Sequence, residues 1–262
     1  MPHPESLVYG DDLAAVYDRI PAIGDPGDTD ACVTFLGSLA GAGPVLELAV
    51  GTGRVALPLV ERGFDVTGVD ASMAMVRMLR AKPGGSSVTV VLSDLAKFTT
   101  TGTFPLAFIV FDSIALLTTQ EEQIQCFRRT ADALAAGGLF AVHAYVPRAG
   151  GHSDSMRTLS VQDGRIVVQA SRHDPTEQRL HSSFIVFENG KVSLHSLPLR
   201  YLYPSEMDLM ARLAGLRLHQ RWGGWQHEPF TCDSSQYVSL YVKEGVPAKE
   251  GGSVKEGWGT TV

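Results

Sequence analysis

The fold is decided by a stretch of ten residues, VLELAVGTGR (45–54). Its apolar first half predicts a buried strand over Val45–Val50, and its glycines fall where that strand turns into a helix predicted over 53–62. Glycines at such a turn let the backbone approach a ligand closely, and the N-terminus of the following helix favours a negative group. The stretch therefore predicts a cofactor site in an α/β fold.

Strands and helices alternate on both sides of this stretch. Four more apolar strands are predicted, at Phe64–Val69, Val88–Leu92, Leu106–Phe111 and Leu139–Val146. Further helices are predicted over 11–19, 28–40, 72–82 and 120–135, the last of them closed by Gly137-Gly138. Strands that are apolar on both faces and separated by helices indicate a parallel sheet covered on both sides.

The pattern changes after Pro147. Polar and apolar residues alternate over 157–203, and Asn189-Gly190 is a hairpin signal, so we expect a small antiparallel sheet inserted into the α/β core. A helix from Pro204 and two last strands, near Leu216–Trp222 and Tyr237–Val242, complete the core.

These changes of pattern define five segments. We predict an N-terminal helical cap (1–40), a cofactor-binding α/β core (41–147), an antiparallel substrate lid (148–203), the C-terminal helix and last two core strands (204–246) and a disordered tail (247–262). Residues 1–24 and 148–203 flank the strand ends where a ligand binds in such sheets. We therefore expect them to close over the cofactor and to select the substrate that reacts with it.

Composition excludes several classes of protein. The chain has 262 residues and a net charge of −6, which argues against the basic face of a nucleic-acid binder. No apolar run approaches the ~20 residues that span a bilayer, and the first residues lack the features of a signal peptide. The three cysteines have no CxxC spacing, so neither a disulfide scaffold nor a metal site is expected. We predict a cytoplasmic protein without nucleic-acid or membrane partners, and a homodimer is left open.

The cofactor is predicted to contain adenosine. Asp70 ends the second strand 19 residues after Gly51, where an acidic side chain can accept hydrogen bonds from ribose hydroxyls. The loop can be read as Gly51-x-Gly53-x-x-Ala56, which also fits the dinucleotide fingerprint. A NAD(P)-dependent oxidoreductase therefore stays open as an alternative, as does a module that binds the nucleotide without catalysis.

Three features favour S-adenosylmethionine instead. Glu47 lies inside the first strand, where a buried carboxylate is costly unless it serves a purpose, and a cationic methionine end would benefit from it. A structural pairing of Glu47 with Arg54 or Arg77 is the alternative. Asp94 follows the third strand, where an adenine amino group would lie. The core also ends in a helix and two strands rather than in a second mononucleotide-binding half.

Four segments resemble the successive cofactor motifs of the class I S-adenosylmethionine-dependent methyltransferases. They are Glu47-x-Ala49-x-Gly51-x-Gly53, Val69–Ser72, Ser93–Leu95 and Phe111–Ser113. The resemblance covers about 40–243 and implies a doubly wound, seven-stranded Rossmann-like methyltransferase sheet with S-adenosyl-L-methionine as cofactor. One departure is Ala49, where that family more often has glycine.

The resemblance implies a set of cofactor-binding residues. It assigns the methionine end to Glu47, Ala49 and Gly51, and the ribose to Asp70. Met73 would cover the adenine face. The full set adds Asp94 and Leu95 at the adenine edge, Phe111 at the sulfonium side, and Tyr17, Arg54 and Ala71.

The segments outside the sheet extend the resemblance. The N-terminal helix and the antiparallel insert are similar to those of small-molecule N- and O-methyltransferases of natural-product pathways. The implied function is methyl transfer to a nitrogen or oxygen atom of a small molecule in specialised metabolism, with C-methylation as an alternative. The motifs do not name the acceptor.

Two residues near the end of the fifth strand are candidates for catalysis. His143 is predicted to act as a general base because imidazole titrates near neutrality, although a histidine packed in the core is an equally open alternative. Tyr145 is predicted to orient the acceptor through its hydroxyl group. Methyl transfer from an activated sulfonium asks mainly for positioning, so a base is needed only for a protonated amine or a hydroxyl.

Overall fold

The computed structural model describes residues 13–14, 16–20, 28–147 and 153–244. The helices are α1 (Thr29–Ala40), α2 (Ala56–Glu61), α3 (Met73–Arg80), α4 (Gln120–Ala133) and α5 (Pro204–Leu213). The core strands are β1 (Val45–Leu48), β2 (Val66–Asp70), β3 (Thr89–Leu92), β4 (Phe104–Ile109), β5 (Leu134–Tyr145), β10 (Leu216–Trp222) and β11 (Gln236–Lys243). The insert contains β6 (Ser153–Gln162), β7 (Arg165–Asp174), β8 (Arg179–Glu188) and β9 (Lys191–Arg200). Short 3-10 turns occupy Gly85–Ser87 and Ser113–Leu116.

The core is one seven-stranded sheet in the order β10-β11-β5-β4-β1-β2-β3. Strands β1 to β5 are parallel, whereas β11 is antiparallel to both β5 and β10. The chain passes from β1 to β2 on one side and returns to β4 on the other. A crevice therefore forms at the carboxyl end of β1, where ligands bind in open α/β sheets. This architecture confirms the predicted fold class.

Two apolar clusters cover the two faces of this sheet. One contains Phe127 of α4 and Met207 of α5, and the other contains Phe35 of α1 and Leu79 of α3. All four residues of β1 are buried, so the central strand is apolar on both faces apart from Glu47. The predicted double covering of the sheet is confirmed.

Local signals fix the helices next to the crevice. The Ser72 hydroxyl accepts a hydrogen bond from the Met75 N–H at 3.1 Å and caps α3 directly after β2. Thr119 and Glu122 form a capping box at the start of α4. Both helices therefore begin where the sequence indicates.

Residues 153–200 form the separate antiparallel sheet β6-β7-β8-β9, as predicted. The turn between β8 and β9 has positive φ at both Asn189 and Gly190, which matches the twist of a tight hairpin. The inner face of this sheet packs with Leu13 and Ile20 of the N-terminal segment and with Met75 of α3. The insert is thereby packed against the N-terminal segment and the start of α3.

One predicted boundary is wrong. The helix predicted over 120–135 ends at Ala133, and β5 begins at Leu134 rather than at Leu139. Leu134 pairs with Phe104, and an irregularity in the ladder follows before the next pair. A Cβ atom on Gly138 would lie 3.0 Å from the Phe104 carbonyl oxygen, so this glycine serves a close backbone approach inside a strand.

The predictions for the cap before residue 13 and for the tail lie outside the described residues. Within the residues that are described, no helix is both long enough and apolar enough to cross a membrane.

Candidate active site

A cavity of about 370 Å³ lies at the carboxyl ends of the five parallel strands. It brings together most of the residues predicted for the site: Tyr17, Ala49, Gly51, Arg54, Asp70, Ala71, Asp94, Leu95, Phe111 and Tyr145. It does not include Glu47, Met73 or His143. Residues without a predicted role also line it: Ser72, Met75, Asp112, Ser113, Leu116 and Leu117 from the core, and seven side chains from the insert.

The glycine loop, which is the turn Gly51–Gly53 after β1, exposes its backbone to this cavity. Gly51 has φ +53°, and a Cβ atom added there would meet nothing closer than the Ala49 carbonyl oxygen at 3.9 Å. Gly53 serves packing instead, because its Cβ would lie 2.3 Å from a methyl carbon of Leu79. Ala49 has φ +59°, a left-handed conformation that alanine adopts at a cost. The preference for glycine at this position in the resembling family has this physical origin.

Two carboxylates line the part of the cavity next to β2 and β3. Asp70 accepts hydrogen bonds from the Gly51 N–H at 2.7 Å and from the Ser72 N–H at 2.8 Å, so it ties the glycine loop to the start of α3. Asp94 accepts from the Ala96 N–H at 2.7 Å. Both side chains are held in place by backbone donors while they face the cavity.

Glu47 lies behind the glycine loop rather than in the cavity lining. It is 3% exposed, and burial raises the pKa of its carboxyl well above the usual value, although the positive charge of Arg54 and the Ala56 N–H oppose that effect. Its Oε2 atom has no hydrogen-bond partner among the described residues. Arg77 is exposed on α3. A buried carboxyl oxygen without a partner is suited to a cationic group nearby.

Phe111 and Arg54 form a pair at the end of β4. The Arg54 guanidinium lies 3.9 Å from the centroid of the Phe111 ring, a cation–π contact that fixes the ring at the cavity wall. Phe111 has φ +54°, which is uncommon for a bulky residue. The backbone of this turn therefore requires a stabilising contact from a neighbouring residue.

His143 provides this contact. The Nδ1 atom of His143 accepts a hydrogen bond from the Phe111 N–H at 3.0 Å, so the ring proton is on Nε2, which lies 3.1 Å from Oε1 of Gln236. The ring is 1% exposed and stacks on Trp225 at 4.9 Å. Burial lowers the pKa of His143 to about 4. Both nitrogens are thus occupied and the imidazole is neutral, which favours the core-histidine alternative over the predicted general base.

Asp112 is the functional candidate that sequence reasoning missed. It lines the cavity, and its carboxyl accepts a hydrogen bond from the backbone N–H of Tyr145. Burial raises the pKa of Asp112 to about 7, against the lowering effect of that hydrogen bond. The signal was available, because Asp112 directly follows a strand end in the segment Phe111–Ser113.

Met73 lies outside the cavity, contrary to the predicted role on the adenine face. Its side chain is 44% exposed at the first position of α3, whereas Met75 is buried and lines the cavity. Two residues correspond to about 200° around a helix, so Met73 and Met75 face opposite sides.

The N-terminal segment is joined directly to the glycine loop. The Thr52 hydroxyl donates to Asp18 at 2.7 Å, and Lys82 lies 2.7 Å from the other carboxylate oxygen of Asp18. Lys82 also donates to the Thr52 carbonyl oxygen at 2.9 Å. On its other side the segment contacts the insert, because Arg165 donates to the Arg19 carbonyl oxygen at 2.6 Å.

The groups that line the cavity fit S-adenosylmethionine. Bare backbone at Gly51, carboxylates at Asp70 and Asp94, and the Arg54–Phe111 pair supply contacts for a nucleoside and a charged amino-acid end. Within the described part of the chain, no three His, Cys, Asp or Glu side chains lie close enough together to hold a metal ion. The sheet order and this site define a class I S-adenosylmethionine-dependent methyltransferase.

Comparisons with known proteins agree. Residues 45–138 match a family described as a methyltransferase domain. The chain is 30% identical over 242 residues to the cypemycin N-terminal methyltransferase of a Streptomyces species. The aligned region covers 90% of this chain and 98% of that relative. The chain therefore belongs to the S-adenosylmethionine-dependent methyltransferases, and the NAD(P)-dependent oxidoreductase alternative is wrong.

Solved structures show the same relationship. The CcbJ methyltransferase of Streptomyces caelestis is 38% identical with a TM-score of 0.86, covering 92% of this chain and 99% of that one. CalS10 of Micromonospora echinaspora, solved with S-adenosylmethionine and described as an amino pentose methyltransferase of calicheamicin biosynthesis, shares the fold at 21% identity and a TM-score of 0.59, covering 89% and 91%. Both solved structures therefore share the methyltransferase fold with this chain.

Proposed function

We propose that the chain methylates an amine nitrogen of a small molecule in natural-product biosynthesis. The observation that carries this proposal is the Asp112 carboxyl group at the cavity wall, between Phe111 and Tyr145. An aliphatic amine is a cation at neutral pH and must lose a proton before its nitrogen can attack. A carboxylate at this position can bind the ammonium and accept that proton.

Asp112 suits this role better than His143 does. A general base works best when its pKa lies near the operating pH, and burial brings the pKa of Asp112 to about 7. The Asp112 carboxylate takes a proton from the acceptor nitrogen. The nitrogen lone pair would then be free to accept the methyl group that bound S-adenosylmethionine supplies, with S-adenosylhomocysteine as the other product.

Other residues of the chain position the two reactants. Bound S-adenosylmethionine supplies an activated methyl group, so alignment contributes much of the acceleration. We propose that Asp70 binds the ribose, Asp94 and Leu95 the adenine edge, and Met75 the adenine face in place of Met73. The glycine loop with Ala49, Ala71, Arg54, Tyr17 and Phe111 would enclose the methionine end, with Glu47 behind it. Tyr145 would orient the acceptor.

Nitrogen is favoured over oxygen by acidity. An aliphatic hydroxyl group is a far weaker acid than an aliphatic ammonium, so a carboxylate whose conjugate acid has a pKa of about 7 would deprotonate the hydroxyl poorly. The name of the 30% identical relative, an N-terminal methyltransferase, also supports an amine acceptor. The cysteines are all free, which fits the predicted cytoplasmic location.

The experiment uses isotopically labelled methyl donor and a panel of acceptors in matched pairs, each as an amine and as the corresponding alcohol. We expect label on the amines only. Asp112→Asn should lower kcat about a hundredfold, the usual size of a lost general base, while affinity for S-adenosylhomocysteine stays unchanged. Asp132→Asn on the exposed face of α4 is the matched control and should be neutral.

The pH profile gives a second readout. In the wild type, kcat/KM should rise with pH through about 7 as Asp112 loses its proton. Labelling of the alcohols alone, or an Asp112→Asn rate within threefold of wild type, would refute the proposal.

A further inference from the structure

The insert gives the cavity a wall that is apolar except at one place. Its contributions are Leu159, Leu180, Phe184, Leu197 and Leu199, together with the polar pair Arg157 and Gln169. Arg157 is the single charged side chain that the described part of the insert adds to this lining. Nothing in the proposed methyl transfer uses it.

The Arg157 side chain is held in a defined orientation. Arg157 on β6 and Gln169 on β7 are directly opposite each other in the ladder, and Nε of Arg157 donates to Oε1 of Gln169 at 2.7 Å. The amide nitrogen of Gln169 donates in turn to the hydroxyl of Ser182 at 2.5 Å, and this serine is 1% exposed. Ser182 lies 3.1 Å from the hydroxyl of Ser171.

This chain of hydrogen bonds uses only one edge of the guanidinium. Arg157 is exposed, and its two terminal nitrogens have neither a hydrogen-bond nor an ion-pair partner within the described residues. Two other arginines of the insert have acidic partners: Arg165 lies 3.4 Å from Glu188 and Arg200 lies 2.7 Å from Glu206. Arg157 is therefore preorganised but not neutralised.

We propose that Arg157 binds a carboxylate group of the methyl acceptor. A guanidinium donates two parallel hydrogen bonds to a carboxylate, and a side chain already fixed by Gln169 loses little conformational freedom on binding. The leucines around it provide an apolar surface for the part of the acceptor that connects its two ends. Together with an amine at Asp112, which rests on the proposed function, the acceptor class is an amine that also carries a carboxylate.

The test measures binding rather than turnover. The full chain, saturated with S-adenosylhomocysteine, is titrated calorimetrically with hexanoate, hexanamide and hexylamine, which differ only at the polar end. We expect hexanoate to bind the wild type at least tenfold more tightly than hexanamide, a difference of about 1.4 kcal/mol. This preference should shrink as salt is added, because Arg157 is exposed to solvent.

Variants then assign the effect to the residue. Arg157→Gln should abolish the preference for hexanoate, and Arg157→Lys should keep part of it. Arg172→Gln, which removes the same charge from an exposed arginine of β7 outside the cavity lining, should leave the preference unchanged. Unchanged affinity for S-adenosylhomocysteine in each variant shows that the fold and cofactor site are intact.

The wild-type titrations and the Arg157→Gln variant together decide whether the proposal holds. Equal binding of hexanoate and hexanamide, absence of hexanoate binding at millimolar concentration, or a preference that survives in Arg157→Gln would overturn the proposal. Hexylamine binding and its loss in Asp112→Asn test the amine end separately, so failure of the proposed function is distinguishable from failure at Arg157.

Discussion

Replacing His143 by asparagine removes a titrating group from the core while keeping an acceptor for the Phe111 N–H. In the folded protein the ring is buried between Phe111, Trp225 and Gln236, and burial lowers the pKa of His143 to about 4. In the unfolded chain this pKa returns to the ordinary value of 6.5. The unfolded state therefore binds a proton more readily than the folded state between these two values.

The sign and size of the effect follow by linkage. Because the folded pKa is depressed, the stabilising contribution is complete above about pH 6.5 and is lost as the pH falls toward 4. The full loss is about 3 kcal/mol, and between about pH 7.5 and about pH 5.5 it is about 1 kcal/mol. Asp112, whose pKa is raised to about 7, acts in the opposite direction over this range.

Comparison of the two proteins separates these contributions. The free energy of unfolding is measured by urea titration at both pH values for the wild type and for His143→Asn. The Asp112 contribution is common to both and cancels, so the wild type should lose about 1 kcal/mol more than the variant on going to the lower pH. Equal pH dependence in the two proteins would show that His143 is not a buried neutral histidine. A hundredfold fall in kcat without loss of stability would instead restore it as the base.

Two further predictions concern the cofactor and the lid. Asp70→Ala should weaken S-adenosylhomocysteine binding by roughly 1.5–3 kcal/mol, because a charge-assisted acceptor and the tie between Gly51 and Ser72 are both lost. Unchanged calorimetric affinity would remove Asp70 from the site. S-adenosylhomocysteine should slow amide hydrogen exchange in residues 16–20, because Asp18 is bonded to the loop residue Thr52, and Asp18→Asn should reduce this protection. Protection confined to 45–112 would show that the N-terminal segment is not part of the lid.

Much of the fold could be predicted because local and long-range signals agree. The apolar strand before Gly51, the cap at Ser72 and the hairpin at Asn189-Gly190 each act within a few residues, and the structure has all three. The start of β5 was missed because Gly138 looks like a helix terminator in sequence. Its actual role is to let the carbonyl of Phe104, more than thirty residues away in the chain, approach closely.

The candidate site was less predictable where it depends on side-chain direction. Strand ends identified Asp70, Asp94 and Phe111, because every parallel strand delivers its last residues to the same edge. Which of Met73 and Met75 faces the cavity depends on the rotation of α3. Which face of the insert turns inward depends on its packing with the N-terminal segment, so Arg157 could not be singled out.

The opposite pKa shifts of His143 and Asp112 have a single physical cause. In water an imidazole is a stronger base than a carboxylate, and the prediction that His143 acts as the general base rests on that order. Burial penalises the charged form of each group, so it lowers the pKa of His143 to about 4 and raises that of Asp112 to about 7. The order of basicity is thereby inverted at the end of two neighbouring strands. The histidine stays neutral and holds the Phe111 turn, and the carboxyl group facing the cavity becomes the better proton acceptor near neutral pH.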